Sequence, residues 1–149
     1  MNREALVTEL NGLLMTETHS LLHHLDEARP YLTSKTYRAW SDIKSLAQTS
    51  RRHAQQLSAL LPRFDIPERP GTHSSEVARF HFVTLDSLLP ELTEEKQKQI
   101  ASYRRALKHA DHDAQLHRTL VDFLGDNEDQ IEHLQAIQAS LRGQQVVAG

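Results

Sequence analysis

The sequence has no cysteine among its 149 residues. A disulfide framework, a thiolate nucleophile and a zinc site built on thiolates are therefore excluded. No apolar run approaches the roughly 20 residues needed to span a bilayer, and the polar N-terminus does not resemble a signal peptide. The formal net charge is only −3, so neither nucleic acid nor an anionic membrane is an expected partner. We expect a soluble, cytoplasmic protein.

Glycine and proline are also scarce, with five of each. Over most of the chain, apolar residues instead recur at the three- and four-residue steps of amphipathic helices. This pattern predicts four long helices, at about residues 3–28, 35–61, 91–110 and 114–142. Prolines and turn formers are concentrated in the first part of the remaining segment, 62–90, which is predicted to be a long crossover. The later part of the crossover, 77–89, is more apolar, and it is predicted to be a packed connector or one short helix.

The lengths of the connections predict how the helices are arranged. Short connections join the first helix to the second and the third to the fourth, which favours two antiparallel hairpins. The long crossover lets the chain travel the length of the bundle between the two hairpins. Residues 1–149 are therefore predicted to form one all-α domain, a four-helix bundle.

Glu17 interrupts a row of leucines in the first predicted helix. It lies four residues after Leu13 and four before Leu21, so it points toward the same buried face. An unpaired carboxylate in a core is costly, so such a residue is normally paired, protonated or bound to a metal. Glu17 is therefore the first candidate functional residue.

Two other predicted helices bring polar residues to the same depth. Ser50 and His53 interrupt the apolar face of the second helix. Asn127 and Gln130 interrupt the apolar face of the fourth helix. Together with Glu17, these residues predict a polar belt across the middle of the bundle.

The residue that the third helix brings to the belt depends on which side of this helix faces the core. Helical steps back from Leu107 through Tyr103 and Ile100 reach Lys96. Glu94 and Glu95 lie next to it in sequence, so either could point inward instead.

Three stretches resemble helices of the ferritin-like superfamily, which includes bacterioferritin and rubrerythrin. Residues 10–25 (LNGLLMTETHSLLHHL) resemble the first helix of bacterioferritin. Residues 50–67 (SRRHAQQLSALLPRFDIP) resemble its second helix and the exit from it, and residues 123–134 (FLGDNEDQIEHL) resemble its fourth. The resemblance implies a ferritin-like four-helix bundle with a di-iron site of four carboxylates and two histidines.

Only two of the six ligand positions implied by the resemblance keep a ligand residue. Glu17 stands where the family has an iron-binding glutamate, and His53-Ala54 matches the end of the Glu-x-x-His-Ala motif. The other four positions hold residues that bind iron poorly: Ser50, Lys96, Asn127 and Gln130. Arg51 occupies the position of the family's haem-binding methionine, so no haem is expected.

These departures favour one interpretation and leave two others open. The favoured one is a non-catalytic bundle that forms a homodimer through helix faces. Its di-iron site is largely lost, and no cofactor is expected. The alternative is a metal-binding oxidoreductase or iron-handling protein in which Glu17 and His53 bind iron or another divalent metal together with Glu94 or Glu95. The third is a protein that binds a small ligand in a cavity within the bundle.

Other histidines form weaker candidates for metal sites. His19 and His23 are four residues apart, which is the helical spacing of a two-imidazole site. A second group surrounds the turn before the fourth helix: His109, His112, His117, Asp111 and Asp113. It could bind zinc at the surface, although either aspartate is also a plausible N-cap.

Overall fold

A computed structural model describes residues 3–18, 20–25, 30, 32–60 and 84–147. Predictions that concern the end of the first helix at 26–28, His19, the side chain of His23 and most of the 62–90 crossover lie outside the described residues. The described part contains four long helices and one single-turn helix. They are α1 (Arg3–Thr18), α2 (Leu21–His24), α3 (Tyr37–Leu60), α4 (Leu85–Leu107) and α5 (Ala114–Val147).

The all-α prediction is confirmed, since the described ranges contain no β-strand. Helix α3 agrees closely with the predicted helix at 35–61. Helix α5 begins where predicted but continues to Val147 rather than ending near residue 142. None of the helices in the described ranges is long and apolar enough to cross a membrane.

The first predicted helix, 3–28, is wrong as one continuous element. Helix α1 ends at Thr18, Ser20 is not helical, and α2 begins at Leu21. The Leu21 N–H donates to Glu95 Oε1 at 2.8 Å, so a carboxylate from α4 satisfies an N–H group at the start of α2. Because of the break, Leu22 is buried while Leu21 is only partly buried.

Helix α4 begins six residues earlier than the predicted start at 91, so residues 85–90 are part of this long helix rather than of a separate connector or short helix. It also ends at Leu107 rather than at about residue 110. A proline inside a helix costs about 3 kcal/mol or more, yet α4 continues through Pro90. Each buried leucine contributes about 1.5–3 kcal/mol, which offsets that cost. Four leucines around Pro90 are buried: Leu85, Leu88, Leu89 and Leu92.

The apolar core consists of two clusters. The first cluster is formed by α2, the beginnings of α3 and α4, and the end of α5, and it includes Trp40 and Leu89. The second cluster is formed by α1, the ends of α3 and α4, and the beginning of α5, and it includes Leu10 and Phe123.

A polar layer separates the two clusters along every long helix. Its members are buried polar side chains: Glu17, Ser50, His53, Lys96, Gln99, Asn127 and Gln130. The predicted depth of Glu17 and its partners is therefore confirmed. The helical step of about 3.6 residues sufficed to predict it, because each of these residues lies in line with buried leucines and isoleucines of its own helix.

Candidate functional site

Glu17 lies at the centre of the polar layer, where α1, α3 and α4 meet. Its side chain is fully buried. Oε2 accepts a hydrogen bond from Ser50 Oγ at 2.8 Å, and Oε1 accepts one from the Tyr103 hydroxyl at 2.9 Å. Both carboxylate oxygens therefore have a donor from a different helix, as a buried anion requires.

Tyr103 was predicted only as an apolar residue of the third helix. Its ring does belong to the second cluster, but its hydroxyl reaches into the polar layer. Tyrosine combines an apolar ring with a polar tip, and a buried tyrosine hydroxyl usually finds a partner. The need of a buried hydroxyl for a partner was the one sequence signal that Tyr103 could belong to the site.

His53 connects the polar layer to the protein surface. Its Nδ1 lies 3.8 Å from Glu17 Oε1, which is beyond hydrogen-bond distance, and has no hydrogen-bond partner in the part of the chain that the structure describes. Its Nε2 lies 2.9 Å from Asp126 Oδ2, and the side chain of Asp126 is 46% exposed. The ring stacks on Phe123 with centroids 4.1 Å apart. The imidazole is therefore fixed in orientation by packing and by one carboxylate.

The two ring nitrogens of His53 have different neighbours. The Asp126 carboxylate accepts a hydrogen bond from Nε2, so Nδ1 is the nitrogen that faces Glu17 Oε1. Sequence reasoning missed Asp126. It precedes Asn127 on a flank of α5 that is not part of the apolar stripe, so the periodicity gave no signal for it.

Lys96 is the inward residue of α4, as its register predicted, and it is 2% exposed. Its Nζ donates to Asn127 Oδ1 at 2.6 Å and to Gln99 Oε1 at 2.8 Å. Asn127 Nδ2 donates in turn to the Phe123 carbonyl at 2.7 Å. The amide oxygens of two helices therefore solvate an ammonium group inside the core.

The two alternatives to Lys96 lie outside the polar layer. Glu94 has a side chain that is 69% exposed, and it pairs with Lys98 at 3.5 Å. Glu95 accepts a hydrogen bond from the Leu21 N–H. Glu94 is thus paired at the surface, and one carboxylate oxygen of Glu95 is hydrogen-bonded at the start of α2.

Gln99 and Gln130 are both buried amides, but their environments differ. Gln99, which was not predicted as a member of the layer, accepts from Lys96 and donates to the Thr16 carbonyl at 3.2 Å. Gln130 Nε2 and Oε1 have no hydrogen-bond partner among the residues that the structure describes. The predicted inward orientation of Gln130 is confirmed by its 3% exposure.

Opposing effects act on the pKa of Glu17. Burial raises it, whereas the interactions with His53 and Lys96 and the hydrogen bond from Ser50 lower it. The net result is a pKa below the usual value of 4.5, so Glu17 is a carboxylate at neutral pH.

The neighbouring ionisable groups are also shifted. Burial lowers the pKa of Lys96 from its usual 10.5, and the negative charges of Glu17 and Glu95 oppose that shift. Burial, the charge of Glu17 and the hydrogen bond to it hold the pKa of Tyr103 well above 10.0. Tyr103 is therefore a neutral donor to Glu17 over the whole physiological range.

The residues of the layer do not fit a di-metal centre. Two divalent ions need several anionic oxygens. The layer has one carboxylate, one imidazole whose Nε2 is bonded to Asp126, and one ammonium group hydrogen-bonded to amide oxygens. Within the described ranges, no group of three or more histidine, aspartate or glutamate side chains could hold a metal ion. The histidines and aspartates around the turn before α5 are among these residues, so the possible surface zinc site there is not formed.

The turn before α5 has a structural explanation instead. Asp113 Oδ1 accepts a hydrogen bond from the Leu116 N–H at 2.9 Å, so Asp113 caps the helix. His112 and His117 are exposed to solvent. Asp113 therefore starts a helix, and His112 and His117 lie at the surface.

Comparison with known proteins adds no relative: no family model, no characterised protein and no solved structure matches this chain. The ferritin-like resemblance therefore depends on the residues and contacts of the chain itself.

Proposed function

We propose that the protein is a ferritin-like four-helix bundle with a non-catalytic binding or structural role, in which a buried lysine takes the position of the metal. Two features of the molecule support this role: the direction of the helices and the charges in the polar layer.

The order in which the helices pass through the two clusters supports the ferritin-like arrangement. Helices α3 and α4 both begin in the first cluster and end in the second, whereas α5 begins in the second and ends in the first. The segment from α1 to α2 runs in the same sense as α5. Two consecutive parallel helices need a connection that returns along the bundle, and the long segment between Leu60 and Leu85 is available for it.

The single observation that carries the non-catalytic role is the position of Lys96. Its ammonium group is buried between amide oxygens of α4 and α5, and its charge lowers the pKa of Glu17. A second cation at this depth would meet strong repulsion, since like charges in a low-dielectric interior interact strongly. The lysine therefore supplies the positive charge that a ferritin-like layer otherwise takes from iron.

Metal binding at Glu17 and His53 is the second candidate function, favoured by one observation. His53 Nδ1 has no hydrogen-bond partner in the described part of the chain and lies 3.8 Å from Glu17 Oε1. An imidazole nitrogen and a carboxylate oxygen that face each other are the beginning of a ligand set. This candidate would make the protein an iron-handling protein or an oxidoreductase.

Metal analysis distinguishes the two candidates. The protein is purified without chelator, its metal content is measured, and Fe(II) is titrated in air. We expect no stoichiometric metal and no oxidation above the rate in buffer. Stoichiometric metal, or rapid oxidation that is lost in Glu17→Ala but kept in the exposed control Glu94→Ala, would establish the second candidate instead.

Restoring the family's ligands tests the role of Lys96 directly. Two variants are compared: Ser50→Glu/Asn127→Glu/Gln130→His, and the same three changes with Lys96→Glu. We expect Co(II) affinity, followed by its visible absorption, to rise markedly only when the lysine is also replaced. Equal affinities in the two folded variants would mean that Lys96 does not occupy a cation position.

The oligomeric state, proposed to be a homodimer, is measured on the same samples by light scattering.

A further inference from the structure

An open groove lies between the beginning of α3 and the end of α5, away from the polar layer. Its volume is about 360 Å³. Apolar side chains of both helices form its floor, among them Ala39, Ile137 and Leu141. All three belong to the first cluster. The groove is therefore continuous with the hydrophobic core at its base.

The rim of the groove is positively charged. Lys35 and Arg38, both exposed, line it from the α3 side, and neither makes an ion pair within the described ranges. His133 lines it from the α5 side and lies 3.7 Å from Asp42 Oδ2. Among the described residues of the lining, Asp42 is the only carboxylate, so two permanent cations there face one anion. The start of α3 adds a small positive potential from its helix dipole.

A second groove between the same two helices provides an internal comparison. It lies between the end of α3 and the beginning of α5, has a volume of about 310 Å³ and is lined by Gln56, Leu60, Thr119 and Asp122 among others. None of the described residues that line it is a lysine or an arginine. The two grooves are thus similar in size and in their helices but opposite in charge.

We propose that the first groove binds a small amphiphilic carboxylate. The apolar part of the ligand would lie on Ala39, Ile137 and Leu141, and its carboxylate would bind Lys35 and Arg38. Arginine recognises a carboxylate through two parallel hydrogen bonds, which favours this group over a neutral one. A volume of about 360 Å³ is within the range of small-molecule sites. This function is independent of any metal in the polar layer.

Ligands that vary charge and chain separately test the proposal. Octanoate, octan-1-ol, octylammonium and acetate are titrated into the full-length ¹⁵N-labelled protein, and the amide resonances of the groove are followed. We expect saturable binding of octanoate, with weaker binding of octan-1-ol and acetate and the weakest of octylammonium. Equal affinities for octanoate and octylammonium, or no saturable shift with octanoate below its aggregation concentration, would overturn the proposal.

Charge variants test the rim. Lys35→Gln/Arg38→Gln is expected to weaken octanoate binding by about tenfold, since each exposed ion pair contributes modestly. The control Lys44→Gln/Arg52→Gln removes one exposed lysine and one exposed arginine of α3 that do not line the groove. A similar loss of octanoate affinity in both variants would mean that only the net charge of the protein matters. That result would contradict a specific carboxylate site at Lys35 and Arg38.

Steric variants test the location. Ala136 and Ala59 are exposed alanines that line the first and the second groove respectively. We expect Ala136→Trp to abolish octanoate binding and Ala59→Trp to leave it unchanged. Binding that persists in Ala136→Trp would overturn the proposal, and so would binding that is lost in both folded variants.

Discussion

Two groups of buried polar side chains differ in how completely they are hydrogen-bonded. Both oxygens of Glu17 accept bonds, from Ser50 and from Tyr103. By contrast, neither polar atom of the Gln130 amide has a partner in the described ranges, and the buried Thr93 hydroxyl also lacks one there. A buried charge needs donors to be tolerated, whereas a neutral amide is far less costly to leave unpaired. We therefore expect changes around Glu17 to destabilise the protein and changes at Gln130 to be tolerated.

Removal of Glu17 should have the largest effect. Glu17→Ala leaves two donors without an acceptor and the buried ammonium of Lys96 without its compensating charge. Removal of one partner from a buried ionic network typically costs about 3–5 kcal/mol. Urea unfolding of wild type and variant measures the difference.

A matched control removes a glutamate of the same size from the surface. Glu94→Ala should change the free energy of unfolding by less than about 0.5 kcal/mol, because Glu94 is exposed. If both variants lose the same stability, the burial of Glu17 has no special energetic role.

The Tyr103 hydroxyl should have the next largest effect. Tyr103→Phe keeps the ring in the second cluster and removes only the donor to Glu17. A hydrogen bond to a charged group contributes about 1.5–3 kcal/mol, so a loss of that order is expected in urea unfolding. Tyr37→Phe is the control, since Tyr37 is 68% exposed and its change should be neutral. A loss of stability no larger than that of Tyr37→Phe would contradict the hydrogen bond from Tyr103 to Glu17.

The acid side of the stability curve should depend on Glu17. Because its pKa is lower in the folded protein than the usual 4.5, the folded state binds fewer protons than the unfolded state in that range. Its contribution is complete above pH 4.5 and is lost as the pH falls through the folded pKa. We therefore expect the stability difference between wild type and Glu17→Gln to shrink from pH 7 to pH 3. A difference that stays constant would contradict the lowered pKa.

The depth of the polar layer was predicted for every member except Gln99, because each of the others was placed by its own helix's apolar stripe. Glu17 aligns with Leu13, and Lys96 aligns with Ile100 and Tyr103. These relations are local to one helix, so the helical period alone determines them.

The pairing within the layer was not predictable in the same way. The contact between His53 and Asp126 depends on the relative rotation of α3 and α5, which periodicity within one helix does not specify. The break after Thr18 likewise involves Glu95, which is far away in sequence. The early start of α4 depends on burial of leucines ahead of Pro90, and tertiary packing there outweighs the local signal of the proline.

The smallest effect, and the sharpest contrast, comes from making one substitution at two glutamines. Gln130→Met replaces an amide without a partner in the described ranges by an apolar side chain of similar shape. We expect the free energy of unfolding to stay the same or to rise by up to about 1 kcal/mol, since no hydrogen bond is lost and a polar group leaves the core. Urea unfolding measures the change.

Gln99→Met is the matched variant, because Gln99 is equally buried but bonded to both Lys96 and the Thr16 carbonyl. It should lose about 1–3 kcal/mol, since an ammonium loses one acceptor and a carbonyl loses its donor. Opposite signs for the same substitution would show that hydrogen bonding, rather than burial or side-chain volume, decides the contribution of each amide. Equal losses would mean that Gln130 has partners that make it as important as Gln99.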